Sequence, residues 1–296
     1  MNNRLRVLLL GGSGFIGKNI REQLSLKYNI TAPTHQELNL LLKNDVEKYF
    51  KKTKPDVVIY AVNVGGTRII PDTTETFTNN TQMFFNVVNF KKYFKKMIFL
   101  GSGAEYDKSI PVIKIKETDF GNFIPADYYG LYKYICSNYI STTDNIINLR
   151  LFGLFGKYED YTIRFISNAI NKHIYNLPIT IHKNIFIDYV YVDDFIRIID
   201  HFLTNKSKYK FYNIGSGKSV DLISLANLIN VQDKNKLKII VEKPGLDNEY
   251  TCDNSRLMNE LKKISFTSID ESINKLYTYY RENKKQIKKE VLLKNW

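Results

Sequence analysis

Cysteine, histidine and long apolar runs are all scarce in this sequence, and each shortage excludes something. Cys136 and Cys252 are the only two cysteines, too few and too far apart for a disulfide framework or a CxxC zinc site. The four histidines, His35, His173, His182 and His201, show no metal-ligand spacing, so no metal is expected. No apolar stretch approaches the roughly 20 residues of a membrane span, so membrane insertion is not expected. The run Val7–Leu10 follows Arg4 and Arg6 in faint imitation of a signal peptide, but it is short and ends in glycines rather than a cleavage site. A reducing cytoplasm is the expected compartment. Acidic residues are also short, 30 against 43 basic ones, for a formal charge of +13. Lysines cluster at Lys51–Lys54, Lys91–Lys96 and Lys284–Lys289, yet no nucleic-acid motif accompanies them. They read as solvated helix faces rather than a nucleic-acid surface, and their field would attract an anionic small substrate.

What is present is ordinary globular material, 44% hydrophobic and 25% charged over 296 residues. Short β-type runs alternate with longer helical stretches through the first half, which predicts an α/β fold with a doubly wound parallel sheet. Strands are expected at Arg6–Leu10, Ile30–Pro33, Val57–Ala61, Met97–Gly101 and Ile146–Phe152. Helices are expected at Ile16–Tyr28, Val46–Lys52, Phe77–Phe94 and Tyr129–Tyr139. After Gly156 the rhythm loosens. A helix at Arg164–His173 leads to strands at Ile179–Ile181 and Ile185–Val192, then to a helix over Asp193–Phe202 capped by Asp193. A late strand at Lys210–Ile214 and a helix at Asp221–Ile229 follow, with irregular structure from Leu237 to Ile269. The expected division is a Rossmann domain from 1–157 plus about 185–214, and a smaller substrate-binding α/β domain from 158–184 and 215–296.

The first strand runs directly into Gly11-Gly12-Ser13-Gly14-Phe15-Ile16-Gly17. This GxxGxxG spacing suits a dinucleotide: the first glycine turns tightly, the second admits the pyrophosphate, and the third lets helix and strand pack closely. The helix starting near Ile16 would aim unpaired N–H groups at the phosphates. The same residues nearly spell a phosphate loop, GxxxxGK[ST], which would mean a nucleoside-triphosphate hydrolase. The hydroxyl residue that should ligate magnesium is Asn19 instead.

Tyr129-Gly130-Leu131-Tyr132-Lys133 places Tyr129 and Lys133 at i and i+4 on one helix face. Such a lysine can hold a cofactor ribose while its charge lowers the tyrosine pKa. The tyrosine can then pass a proton to a sugar oxygen while hydride moves at the carbon. Ser102, just past a strand, can steady the same oxygen. A chain with 21 tyrosines can produce YxxxK by chance, but chance does not also supply the glycine turn and strand-end serine in this order.

These residues give the chain its resemblance to the extended short-chain dehydrogenase/reductases, or NAD-dependent epimerase/dehydratases. It most resembles the GDP-L-fucose synthase branch of 4-keto sugar reductases. The resemblance runs through GGSGFIG at 11–17, ELNLL at 37–41, NVGG at 63–66, GSGAEY at 101–106, YGLYK at 129–133, LFGLFG at 151–156, YVDD at 191–194 and NIGSG at 213–217. It implies a catalytic group of Ser102, Tyr129 and Lys133, a nucleotide-sugar substrate and a homodimer. Dehydratases of this type carry an Asp-Glu pair after the catalytic Ser/Thr, where this chain has Gly103 and Ala104. Fucose synthases place a cysteine two residues after the serine and a later histidine for epimerisation; here those positions hold Ala104 and Arg164. A guanidinium does not deprotonate. What remains is reduction of a ketone without C3/C5 epimerisation.

NAD-binding members offer an acid roughly 20 residues beyond the glycines. Here the second strand ends Ala32-Pro33-Thr34-His35-Gln36, and Glu37 falls within the ELNL segment. This favours NADPH, with NAD as the alternative and His35 as neighbour of the extra phosphate. Asn39 and Leu40 are expected by the adenine, Ala61 and Asn63 along the cofactor. Arg164 and Lys183 are candidates for a substrate pyrophosphate, or else plain surface charges, and Asn168 shares a face with Arg164. The paired Asp193 and Asp194 read as helix capping rather than metal ligands. The expected activity is an NADPH-dependent C4-ketoreductase of an NDP-4-keto-6-deoxy sugar, GDP-linked by resemblance, serving surface polysaccharide. Two rivals stay open: an NAD-retaining C4-epimerase and a non-catalytic dinucleotide-binding regulator.

Overall fold

The computed structural model describes residues 4–65, 71–262 and 264–293; Gly66 of the NVGG motif lies outside them. The first part of the chain runs β1 (Arg6–Leu10), α1 (Phe15–Leu24), β2 (Asn29–Thr31), α2 (Lys43–Thr53), β3 (Val57–Tyr60), α3 (Thr74–Val88), β4 (Lys96–Ser102) and β5 (Val112–Ile115). It continues through α4 (Tyr128–Ser141), β6 (Ile146–Leu151), β7 (Gly153–Phe155), α5 (Phe165–Ile174), β8 (Ile179–Asn184) and β9 (Phe186–Tyr191). The remainder is α6 (Val192–Thr204), β10 (Phe211–Ile214), β11 (Ser219–Asp221), α7 (Leu222–Asn230), β12 (Ile239–Leu246), β13 (Tyr250–Cys252), α8 (Ser255–Leu261), α9 (Ile269–Glu282) and α10 (Lys289–Leu292).

Six strands form one parallel sheet in the order β10-β6-β4-β3-β1-β2. Successive residues of a strand face opposite sides, so a strand covered on both faces must be apolar throughout. β1 obeys this: Val7 and Leu9 pack with Ile20, Ile196 and Phe202 from α1 and α6. Leu8 and Leu10 pack with Phe50, Phe84 and Ile140 from α2, α3 and α4. Phe84 sits edge-on to both Tyr60 and Phe99, at ring distances of 5.9 and 5.2 Å. Truncating such a buried phenylalanine to alanine costs about 3–5 kcal/mol.

A second sheet, β11-β9-β13-β5, takes β7 alongside β9, and β12 pairs separately with β8. Its core joins Ile166, Ile170, Leu225, Ile229, Ile273 and Leu276 from α5, α7 and α9. β9 belongs to this second sheet, whereas α6 and β10 after it pack in the first.

Four local expectations need correction. The stretch 237–269 is not irregular: it holds β12, β13 and α8, strands that form only because distant partners β8, β9 and β5 accept them. The helix expected to reach Phe94 ends at Val88, with a separate 3-10 turn at Lys91–Tyr93. It begins early, because Thr73 and Thr76 form a reciprocal capping box. Asp193 does not cap α6; the cap position is Tyr191, and Asp193 accepts instead from Gln23 Nε2 at 2.8 Å. Asp194 is buried and accepts from Thr267 N and Oγ1 at 2.8 Å each and from Arg197, tying α6 to the segment before α9.

Candidate active site

The glycine turn leaves β1 at the carboxyl end of the sheet, and its packing separates the roles of its glycines. Gly11 has φ +90°, and a Cβ there would stand 2.5 Å from Ala61 O. A Cβ on Gly17 would stand 2.2 Å from Gly11 O, so α1 rests directly on the turn. Gly14 is different: its Cβ would meet only Gly11 O, at 3.5 Å. Among the described residues, the space over Gly14 is therefore free for something other than protein. Gly14 is also the N-cap of α1, and no side chain caps that end, so the N–H groups of the first turn, from Phe15 and Ile16 onward, suit a pyrophosphate. Phe15 and Ile16 themselves pack against the two neighbouring cores.

The phosphate-loop reading fails. Asn19, at the magnesium position, is fully buried, and its amide donates to Phe15 O and Lys157 O at 2.9 Å each. Lys18 lies over the Tyr158 ring, 5.7 Å from its centroid.

Ala61 follows β3 and donates its amide to Leu10 O, beside Gly11. Asn63 is exposed, and its Oδ1 accepts from the Tyr132 hydroxyl at 2.6 Å, which links it to α4. His35 is exposed beyond β2. Asn39 is half-buried with Oδ1 bonded to Leu41 N. The Leu40 side chain is buried in the core with α2 and α3, and its carbonyl accepts from Asn86.

Ser102 ends β4 and starts a tight 3-10 turn over Gly103–Tyr106, its hydroxyl accepting from Ala104 N at 3.1 Å. Asp127 caps α4 by accepting Gly130 N at 2.8 Å, which puts Tyr129 in the first turn and Lys133 one turn further. A Cβ on Gly130 would stand 2.8 Å from Ala104 O, so only glycine lets α4 approach the serine turn this closely. Lys133 is buried, donates to Leu100 O at 2.6 Å, and sits 5.9 Å from the Tyr129 ring centroid. Serine, tyrosine and lysine thus meet where β4 ends.

Burial dominates their electrostatics. Burial holds the Lys133 ammonium down to about 8. Burial also pushes the Tyr129 phenol up, and what opposes it is a hydrogen bond with Ser102 and the charge of Arg164. Arg164 is an exposed residue at the start of α5. Asn168, in contrast, donates to Tyr161 O and Thr162 O at 3.0 and 3.3 Å and so holds its own loop. Lys183, on β8, is 3.6 Å from Asp247.

Two features of the site carry no local sequence signal. The first is a buried polar cluster beneath the serine turn. Glu105 accepts from Ser102 N (3.1 Å), Asn148 Nδ2 (3.1 Å), Ser137 Oγ (2.6 Å) and Arg150 Nε (2.6 Å). Arg150 is fully buried between Phe120 and Phe211, 4.4 and 4.6 Å from their centroids. The second is Tyr250 of β13, whose hydroxyl lies 2.5 Å from where a Cβ on Gly103 would stand. A phenol from a distant strand fills the space that a side chain at 103 would need. Its ring packs on Phe152 at 4.9 Å, and burial pushes it well up, with Ser102 partly opposing.

Residues 7–215 match the NAD dependent epimerase/dehydratase family. The chain belongs to that family. It is accordingly an NAD(P)-dependent enzyme. Putative GDP-L-fucose synthase 2 of Arabidopsis thaliana is 25% identical, covering 94% of this chain and 92% of that protein. GDP-L-colitose synthase of Yersinia pseudotuberculosis is 28% identical over 57% of this chain and 60% of its own length. Among solved structures, the GDP-mannoheptose C4 reductase of Campylobacter jejuni with NADP bound superimposes with a TM-score of 0.76 at 19% identity, covering 95% of this chain and 99% of that one. UDP-glucose 4-epimerase of Thermotoga maritima with UDP-glucose gives a TM-score of 0.80 at 20% identity, covering 94% and 99%. Among the described residues, no helix is long and apolar enough to cross a membrane. No group of three or more His, Cys, Asp or Glu among them is placed to hold a metal.

Proposed function

We propose that this family member reduces the C4 ketone of a nucleotide-linked 4-keto-6-deoxy sugar, with NADPH as reductant and GDP as the carrier nucleotide. The relatives named as GDP-L-fucose and GDP-L-colitose synthases support a nucleotide-sugar substrate, and the neighbour with NADP bound supports the cofactor. Residues 1–157 with 185–214 would hold the dinucleotide and the remainder the sugar nucleotide. The product would be a deoxy sugar for surface polysaccharide, made in the cytoplasm by a homodimer.

The observation that carries this reading is the meeting of Ser102, Tyr129 and Lys133 at the end of β4. When bound, the nicotinamide would supply hydride to the carbonyl carbon. Ser102 would hold the carbonyl oxygen and Tyr129 would give it a proton, a step worth about 10²–10⁴ in rate. Lys133 would return to the cofactor ribose from Leu100 O. Arg164 would face the anionic substrate. C3/C5 epimerisation needs a base that can shed its proton. Ala104 is fully buried and carries none, a guanidinium at position 164 is no proton acceptor, and burial pushes the Tyr250 phenol well up.

The test is to mix protein, NADPH and an NDP-4-keto-6-deoxy sugar and follow reduced-nicotinamide absorbance. Stoichiometric loss is expected. No turnover across several such sugars would overturn the reading, and tightly retained NAD with sugar interconversion in the absence of reductant would mean a C4-epimerase instead.

A further inference from the structure

All six strands of the main sheet run parallel, so every strand starts on one face of it and ends on the other. The ending face carries the glycine turn and Ser102. The starting face takes no part in that site. It is built from the connections entering the strands: 25–28 before β2, 54–56 before β3, 89–95 before β4, 142–145 before β6 and 205–210 before β10.

The fold gathers basic residues on this starting face from clusters far apart in sequence. Lys51, Lys52 and Lys54 lie at the end of α2, and Lys91, Lys92 and Lys95 lead into β4. Phe50 and Phe94 bring the two clusters together, with their rings 5.8 Å apart. Lys206, Lys208 and Lys210 lead into β10, and Lys27 into β2. The carboxylates nearby are already engaged: Asp56 holds Arg6 and Lys95, Asp200 holds Lys27, and Asp144 holds Lys210. Lys52, Lys54, Lys91, Lys92, Lys206 and Lys208 are exposed, and among the described residues none of them has an ion-pair partner. A helix dipole accounts for lysines in a last turn, such as Lys51 and Lys52, but its effect fades beyond that turn. Lys54, Lys91, Lys92, Lys206 and Lys208 lie past the ends of their α-helices.

Two apolar side chains share these connections: Leu26, 87% exposed, before β2, and Tyr209, 46% exposed, before β10. Those are the outermost strands, about 24 Å apart at the usual strand spacing. Free cations and apolar tips are thus spread over a broad face instead of converging on one point. A lone phosphate needs convergence. An anionic bilayer offers charge over a plane, and its interface takes up an exposed leucine or tyrosine. A nucleic acid would use the charge but gain nothing from the leucine. We propose that the strand-start face docks on an anionic lipid bilayer, with the active-site mouth turned toward solution. The docking does not depend on which sugar the enzyme reduces.

The experiment is sedimentation of the protein with vesicles of phosphatidylcholine alone, and of phosphatidylcholine and phosphatidylglycerol in equal parts. Wild type should bind only the anionic vesicles, and added salt should release it. Changing Lys54, Lys91 and Lys92 together to glutamine should weaken binding about a hundredfold, at about fivefold per lysine near a charged surface. Leu26→Ser should weaken it by a smaller factor. The same change at Lys285, Lys288 and Lys289, which follow α9 in the second core, removes equal charge elsewhere and should leave binding as in wild type. NADPH titration of vesicle-bound protein should match that in solution, and its loss on the membrane would overturn the orientation. Equal affinity for neutral vesicles, equal loss in both triple variants, or a preference for polyuridylate RNA over anionic vesicles would overturn the docking itself.

Discussion

Removing Glu105 should damage the protein in two separable ways. Its carboxylate and the Arg150 guanidinium are both fully buried and 2.6 Å apart. Taking away one partner strands the other charge without water, a loss of about 3–5 kcal/mol. Globular domains have only about 5–15 kcal/mol in total, so Glu105→Ala should remove a large fraction of the stability. With a urea dependence of about 3 kcal/mol per molar, the unfolding midpoint should fall by about 1 M or more. The second effect is local. Ser102 N loses its acceptor, so the turn that presents the serine hydroxyl loosens. Turnover per folded molecule should fall by at least about tenfold, because a misplaced catalytic group loses rate steeply. A double variant, Glu105→Leu with Arg150→Met, should lose less stability than Glu105→Ala, since no unpaired charge remains. Urea unfolding and single-turnover reduction, run on the same preparations, read both effects. A loss of less than about 1 kcal/mol with full turnover would refute the reasoning, because it would mean the buried charge finds compensation elsewhere.

Tyr129→Phe should keep fold and dinucleotide affinity while lowering turnover by about 10²–10⁴, the share of a positioned proton donor; full activity would remove Tyr129 from the chemistry. Lys133 titrates near 8 in the folded protein and about 10.4 when unfolded. Between those values the unfolded chain binds the extra proton, so stability should rise with pH across that window by roughly 3 kcal/mol relative to Lys133→Met. A pH-independent difference between the two proteins would contradict the burial assigned to this lysine. Gly14→Ala should fold normally and lose dinucleotide affinity, because its Cβ meets only Gly11 O at 3.5 Å. Gly17→Ala, placed 2.2 Å from Gly11 O, should fail to fold or melt far lower, and equal behaviour of the two in melting and titration would refute the division of roles.

Local chemistry makes part of this molecule legible in its sequence. The glycine turn, the strand-end Ser102 and the Tyr129–Lys133 pair are short motifs whose geometry follows from one turn of strand or helix, and the parallel sheet follows from strands apolar on both faces. Tyr250 was not legible, because β13 reaches the serine turn by pairing with β5 and β9, whose Val112 and Ile187 lie far away in sequence. Nothing near residue 250 marks that encounter. Glu105 and Arg150 were hidden for a related reason: a charge in a sequence reads as surface until its buried partner is known. Burial acts on both members of the Tyr129–Lys133 pair, raising the phenol and lowering the ammonium, and the lysine donates to Leu100 O. Helix spacing brings two side chains to one face but does not say where each charge goes.

Transfer of a labelled hydride is the most direct test. The protein would be given NADPH carrying deuterium at the transferable nicotinamide position, with an NDP-4-keto-6-deoxy sugar, and the product examined by mass spectrometry and NMR. One deuterium at C4 of the sugar is expected, with none at C3 or C5 when the reaction is repeated with unlabelled NADPH in deuterated water. Turnover that leaves C4 unlabelled, or solvent deuterium at C3 or C5, would contradict a reductase built on Ser102, Tyr129 and Lys133.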